Sequence, residues 1–234
     1  MGRAVKRFWK KVEVVDTTDG FGVSLDERPV RTPARAVLVV ASRGLAKAIA
    51  QEWADSGEEV DPRAMPMTGL ANAAIDRIAP NRDLFAAGLA RYAEGDLLCY
   101  RADGPDKLVA REAEAWDPLL GWARRRFDID FTIGSGVIHV PQPPETVRKL
   151  GHEVAALQPF ALAALSPLVT IGGSLVAALA VLEDAVTAEA AWEAVSLGER
   201  WQLEQWGEDA EARAAFELRC RDFLAGARFF QLLS

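Results

Sequence analysis

The run VAALQPFALAALSPLVTIGGSLVAALAVL, Val154–Leu182, holds no charged residue. Its length alone would cross a bilayer, since a spanning helix takes about 20 apolar residues. Its punctuation argues otherwise. Gln158-Pro159, Ser166-Pro167 and Gly172-Gly173 cut the run into pieces, each shorter than a span. Proline removes a backbone donor and glycine frees the backbone, so the run reads as a pair of short helices in a protein core. That reading decides the fold, because such a segment needs other helices around it. No stable membrane insertion is expected.

The flanks supply those helices. After it, Thr187 reads as an N-cap for a helix Ala188–Trp206 that Gly207 ends. Projected at about 100° per residue, Trp192, Val195, Leu203 and Trp206 fall on one side. Ala190, Ala194, Leu197 and Trp201 fall on the other, with Glu189, Glu193, Arg200 and Glu204 between. A helix apolar on two faces either sits between neighbours or offers one face to a partner. A last helix, to Leu233, aligns Phe216, Cys220, Phe223, Ala227 and Phe230 as a core face. Upstream, Asp117-Pro118 reads as a cap and first-turn proline opening a helix at WDPLLGW. DIDFTI and GVIHV, joined by Gly134-Ser135-Gly136, read as a short β pair, and PQPP leads into a helix from Glu145.

The first forty residues have a different grammar. FWKKVEVV, FGVSL and AVLVV are short β-rich runs separated by turns at Asp19-Gly20 and near Asp26-Glu27, an antiparallel meander. Pro29 and Pro33 mark its irregular edges. A helix follows Ser42 with Leu45, Ala48, Ile49, Glu52 and Trp53 at helical spacing, which turns Trp53 toward the sheet as a structural residue. MPMTGLANAAIDRI reads as a second helix capped near Thr68. Asn81 reads as a further cap, and the pattern beyond is mostly helical. The expected fold is α+β: a β-rich N-terminal domain, residues 1–80, with packed helices, then a mostly α-helical C-terminal domain, residues 81–234.

The chain has 234 residues, half of them hydrophobic, and a formal net charge of −7. An acidic chain is a poor sequence-independent binder of nucleic acid, so no such partner is expected. The charge is uneven. Met1–Gly44 carries nine Lys and Arg against five Asp and Glu, while Glu183–Asp222 carries four against eleven. Cys99 and Cys220 form no paired motif, which favours a reducing compartment. The basic start, MGRAVKRFWKK, lacks the apolar run of a signal peptide. His139 and His152 belong to no cluster with metal-ligand spacing. No Gly-x4-Gly-Lys loop or Gly-x-Ser-x-Gly elbow is present. Catalytic residues, cofactor, metal and small-molecule substrate are therefore all expected to be absent. Glu208, Asp209 and Glu211 could in principle do acid–base work as a hydrolase, but acids at a helix start are favoured by the dipole alone.

Several stretches, in order along nearly the whole chain, resemble the assembly chaperones that handle the alpha subunit of the ATP synthase catalytic head, the ATP-twelve family. They are RFWKKVEV, LDERPVRTPAR (Leu25–Arg35), AIAQEWA (Ala48–Ala54), MPMTGLANAAIDR (Met65–Arg77), EGDLLCYRA (Glu94–Ala102), WDPLLGW (Trp116–Trp122), GSLVAALA (Gly173–Ala180) and ERWQLEQWGEDAEA (Glu199–Ala212). Glu27 departs from the family, which often has glycine in that turn. The resemblance implies a non-enzymatic protein that binds the unassembled alpha subunit and shields the surface later met by the beta subunit. It also implies a functional glutamate in the neighbourhood of Glu208, Asp209 and Glu211. With Glu204 and Trp201 these acids are the expected partner contacts, and Trp206 is expected to be a helix anchor. A protein-binding module for another client is the alternative. The setting implied is bacterial cytoplasm, or the mitochondrial matrix for a eukaryotic source.

Overall fold

The computed structural model describes residues 6–136, 138–207 and 209–234. The chain forms two compact units, one from Met1–Arg82, Gln158–Ala164 and Arg228–Ser234, the other from Asp83–Leu157 and Leu165–Ala227. The expected boundary near residue 80 takes no account of the two late stretches in the first unit. They belong there for a reason invisible to local pattern: Phe160 stacks on Phe229 with ring centroids 6.2 Å apart. The Ser42 hydroxyl also donates to the Ser234 carbonyl.

In the first unit, β1 (Val12–Thr17) and β2 (Gly20–Leu25) form an antiparallel hairpin in register from Val12↔Leu25 to Thr17↔Gly20. Gly20 is required at the turn. Its φ is +141°, and a Cβ there would lie 2.4 Å from the Val40 carbonyl oxygen. The expected third strand, AVLVV, is shortened to its last two residues, and an unexpected two-residue strand precedes it. β3 (Arg28–Pro29) pairs with the end of β2, and β4 (Val39–Val40) pairs with its start. Pro29 and Pro33 explain the interruption, since neither can donate to a ladder. Asp26 and Glu27 turn the chain with φ of 46° and 70°. The Asp26 carboxylate accepts the Lys10 and Lys11 amides, and these bonds hold its pKa below the usual carboxylate range.

Helix α1 (Arg43–Asp55) starts as expected, with the Ser42 hydroxyl accepting the Gly44 and Leu45 amides. It buries Leu45, Ala46 and Ile49 beside β1 and β2. Trp53 is only half-buried. The buried indole is that of Trp9, 3% exposed, whose Nε1 donates to the Trp53 carbonyl at 3.2 Å. The two rings meet at 5.2 Å. Helix α2 (Pro66–Ala73) corrects the expected cap. Thr68 lies inside it as a donor. The acceptor is the Glu52 carboxylate of α1, which takes the Met67 amide at 2.7 Å, the Thr68 amide at 2.8 Å and the Thr68 hydroxyl at 2.7 Å. Residues 74–81 continue as a wide turn and a tight one into α3 (Arg82–Ala90).

The second unit is helical. After α3 the chain passes through β5 (Tyr100–Arg101), α4 (Asp106–Phe127), β6 (Gly134–Ser135), α5 (Pro144–Ala156) and α6 (Pro159–Gly172), then α7 (Leu175–Leu182). All eight residues of α7 are buried. The uncharged run is therefore a core helix pair, although residues 158–164 pack in the first unit. Among the described residues no helix is long and apolar enough to cross a membrane. Asp96, fully buried, fastens α7. Its carboxylate accepts the Leu98 amide at 3.0 Å and the Val176 amide at 2.9 Å, and Ser174 adds a side-chain bond.

Three local expectations fail here. Pro118 does not open a helix but lies inside α4, and Pro167 lies inside α6 without cutting it. Burial of Trp116, Leu119, Leu120 and Ala123 along α4 outweighs the one backbone bond Pro118 forfeits. DIDFTI and GVIHV are not strands. The bridging Gly134-Ser135 forms β6 instead, parallel to β5, while the Gln142 amide bonds the Thr132 backbone in both directions. Val137 lies outside the described residues.

Candidate client-binding surface

Three helices complete the second unit: α8 (Ala188–Val195), α9 (Leu197–Trp206) and α10 (Ala210–Gln231), whose last turn belongs to the first unit. Thr187 caps α8, its hydroxyl accepting the Ala190 amide. The single helix expected over 188–206 is broken at Ser196, whose hydroxyl and amide both donate to the Trp192 carbonyl. A side chain bonding back to the preceding turn competes with the helical ladder and bends it. The break separates two chemistries. In α8, Ala191, Trp192 and Ala194 are buried; in α9 only Leu197 is. Trp192 meets Phe216 and Phe223 of α10 at 5.2 and 5.5 Å. On α10, Phe223 and Ala227 are buried, while Phe216, Cys220 and Phe230 of the expected core face are half-buried.

The exposed end of α9 carries the residues singled out in the sequence. Trp201 is half-buried beneath the Arg111 guanidinium, 4.9 Å from its ring centroid. Arg111, from α4, also pairs with Glu204 at 2.7 Å. Trp201 and Glu204 are thus gathered by one cation that sequence reading missed, since nothing along REAEAW distinguishes Arg111 from a solvated helix residue. Trp206 is a correction. It is 78% exposed and anchors no core, because it closes the last turn of α9 before Gly207 diverts the chain at φ +80°. Asp209 caps α10, its carboxylate accepting the Ala212 amide at 2.7 Å. Glu211 lies exposed in the first turn. Glu208 lies outside the described residues. Glu199 pairs with Arg219, tying α9 to α10.

Where α9 begins, at the opposite end of that helix from Trp206, α4, α8 and α9 line a groove of about 320 Å³. Pro118 and Trp122 form one wall, Val186 and Leu197 the other, and Glu193 and Arg200 sit at its polar rim. Arg111 and Ala115 follow along the same face of α4, one helical turn apart. The surface therefore offers an exposed indole, an acidic helix start and an apolar groove. Cys99 is buried, with its thiol pushed up to about 12 by desolvation, so it stays protonated at neutral pH.

Comparison with known proteins gives a consistent outcome. The family model described as "ATP12 chaperone protein" matches residues 6–124. The crystal structure of Atp12 from Paracoccus denitrificans is 44% identical, with a TM-score of 0.92 and 98% of each chain covered. A point mutant of that protein matches equally well. A crystal structure from Agrobacterium tumefaciens is 39% identical with a TM-score of 0.93, covering 99% of this chain and 87% of that one. The mitochondrial protein atp12 of Schizosaccharomyces pombe is 25% identical over 219 residues, 88% of this chain and 75% of the relative.

Proposed function

The chain belongs to the ATP12 chaperone family, which serves ATP synthase assembly, and from that premise we propose that its client is the unassembled alpha subunit of the catalytic head. The turn between α9 and α10 makes the contact. Trp206 supplies apolar area, and Asp209, Glu211 and Glu204 supply an acidic rim, with Glu208 beside them in sequence. A subunit awaiting its neighbour exposes an apolar interface that aggregates. A reversible cover needs complementary shape and charge rather than chemistry. Higher identity to the bacterial relatives than to the fission-yeast protein favours a bacterial cytoplasmic setting.

The observation that carries the reading is the exposure of Trp206, 78%, in a protein whose other large aromatics are mostly used in packing. An indole left in water gains most when a partner covers it. The test is co-expression with the alpha subunit, scoring alpha-subunit solubility. The parent chain should keep that subunit soluble, and Trp206→Ser should lose most of this protection with an unchanged melting temperature. Capture of a different client, with the alpha subunit unprotected, would replace the reading.

A further inference from the structure

The first unit carries a second surface of opposite charge. Phe8 is 61% exposed, although its neighbour Trp9 is buried and touches it edge-on at 5.2 Å. On one side of Phe8 lies a concave pocket of about 480 Å³ lined by Leu25, Arg28, Pro29, Val30, Arg31 and Trp53. On its other side lies a shallower hollow bordered by Lys6, Arg7 and Lys10, with Glu58 as its one carboxylate. The cations are largely unanswered. Neither Arg28 nor Arg31 has a carboxylate within ion-pair distance among the described residues. The carboxylate that senses Arg28, that of Asp26, has both oxygens engaged by the Lys10 and Lys11 amides. Arg7 spends its donors on the Ala54 and Ser56 carbonyls at the end of α1, which fixes its charge in place without neutralising it. In a chain of net charge −7 this concentration of positive charge around an exposed aromatic is an exception.

We propose that this pocket is a docking site for an extended acidic segment of a protein partner. One apolar side chain of that segment enters beside Phe8 and Trp53, and its flanking carboxylates meet Arg28 and Arg31. Paired guanidiniums suit carboxylates because their planar donors match two oxygens at once. The concavity favours a peptide over a bilayer, since a lipid surface needs a convex or flat face to lie on. The site is lined only by residues 6–58, so it does not depend on the reading of the α9–α10 turn.

The test uses the full chain and three fluorescein-labelled peptides followed by anisotropy. They are Glu-Asp-Phe-Asp-Glu, the neutral Ser-Asn-Phe-Asn-Ser, and the phenylalanine-free Glu-Asp-Gly-Asp-Glu. The first should bind saturably, about tenfold more tightly than either control, and should weaken as salt rises. Arg28→Ser with Arg31→Ser should lower its affinity by about tenfold, and Phe8→Ser should lower it independently. Arg31 also donates to the Arg35 carbonyl, so Arg28→Ser alone serves as the variant with no internal hydrogen bond to lose. Equal binding of the neutral peptide, or unchanged affinity in Arg28→Ser, overturns the proposal. So does co-sedimentation with phosphatidylglycerol vesicles in the absence of acidic-peptide binding, which would make the surface a membrane contact.

Discussion

Two carboxylates, Glu52 and Asp96, accept amides at the starts of helices distant in sequence, Glu52 at α2 and Asp96 at α7. At α7 Asp96 works beside Ser174, whose hydroxyl takes the Ala177 amide. Glu52 reaches α2 from α1 and accepts three donors. Asp96 serves Leu98 and Val176, 80 residues apart from one of its partners. Both pKa values are raised, by burial first, against the lowering effect of these bonds. Glu52→Ala leaves part-buried donors unpaired and should cost about 2–3 kcal/mol in urea unfolding. For Asp96 the sign of the pH effect follows from linkage. A carboxyl raised in the folded state binds its proton more tightly there than in the unfolded chain. Its favourable contribution is present below the unfolded value, about 4, and is lost as pH rises through the folded value. The penalty for Asp96→Asn should therefore shrink as pH rises through that window, then level. A penalty that grows with pH would show the charged form to be the preferred one. Glu27 offers a simpler test. Its φ of 70° is left-handed, which costs a non-glycine residue about 1–2 kcal/mol. Glycine adopts this conformation without that strain, so Glu27→Gly should raise the melting temperature.

At the scale of elements, the sequence was readable wherever a signal was local and unopposed. The hairpin β1–β2, the helix start after Ser42, the Thr187 cap and the stop at Gly207 each depend on a few adjacent residues. Where packing opposed a local signal, packing won. Pro118 sits inside α4 because Trp116 is held from outside it: its indole donates to the Ala194 carbonyl at 2.8 Å, and Arg101 both covers its ring at 5.0 Å and pairs with Asp117. Neither Ala194 nor Arg101 lies within ten residues of Pro118. The proline should then be a tolerated cost rather than a boundary. Pro118→Ala restores the missing amide and should stabilise the protein, seen as a higher melting temperature. A loss of stability would mean that the ring's packing against the groove beside Trp122 outweighs the hydrogen bond. The Ser196 break escaped notice because serine is unremarkable in a helix pattern until its hydroxyl finds a carbonyl.

For the molecule as a whole, six of the eight stretches that carry the family resemblance prove to be joined by carboxylates that accept backbone amides of another stretch. Asp26 of LDERPVRTPAR binds the amides of RFWKKVEV, and Asp76 of MPMTGLANAAIDR binds the Ala34 amide. Glu52 of AIAQEWA caps the helix of MPMTGLANAAIDR, and Asp96 of EGDLLCYRA caps that of GSLVAALA. These motifs identify the chain because they build its frame, and so they say little about where the client sits. The candidate site was legible only as an acidic, Trp-rich turn. Its organiser, Arg111, stands 93 residues before Glu204 in the chain.

Asp209 shows how frame and site can be separated in one residue. Its carboxylate caps α10 and also stands among the proposed client contacts. Asp209→Ala removes both roles and should cost about 1 kcal/mol of stability. Asp209→Ser keeps an oxygen able to accept the Ala212 amide, so the helix start survives, but it removes the charge. Charge at an exposed rim sets encounter and register more than affinity, and salt screens it within about 8–10 Å. With the alpha subunit as client, Asp209→Ser should therefore melt within about 0.5 kcal/mol of the parent yet protect the subunit more slowly at low salt, with the difference closing as salt rises. Adding Glu211→Gln should deepen the low-salt loss. Full protection by the double variant, at a preserved melting temperature, would leave Asp209 a helix cap only and move the client contact to the groove beside Trp122.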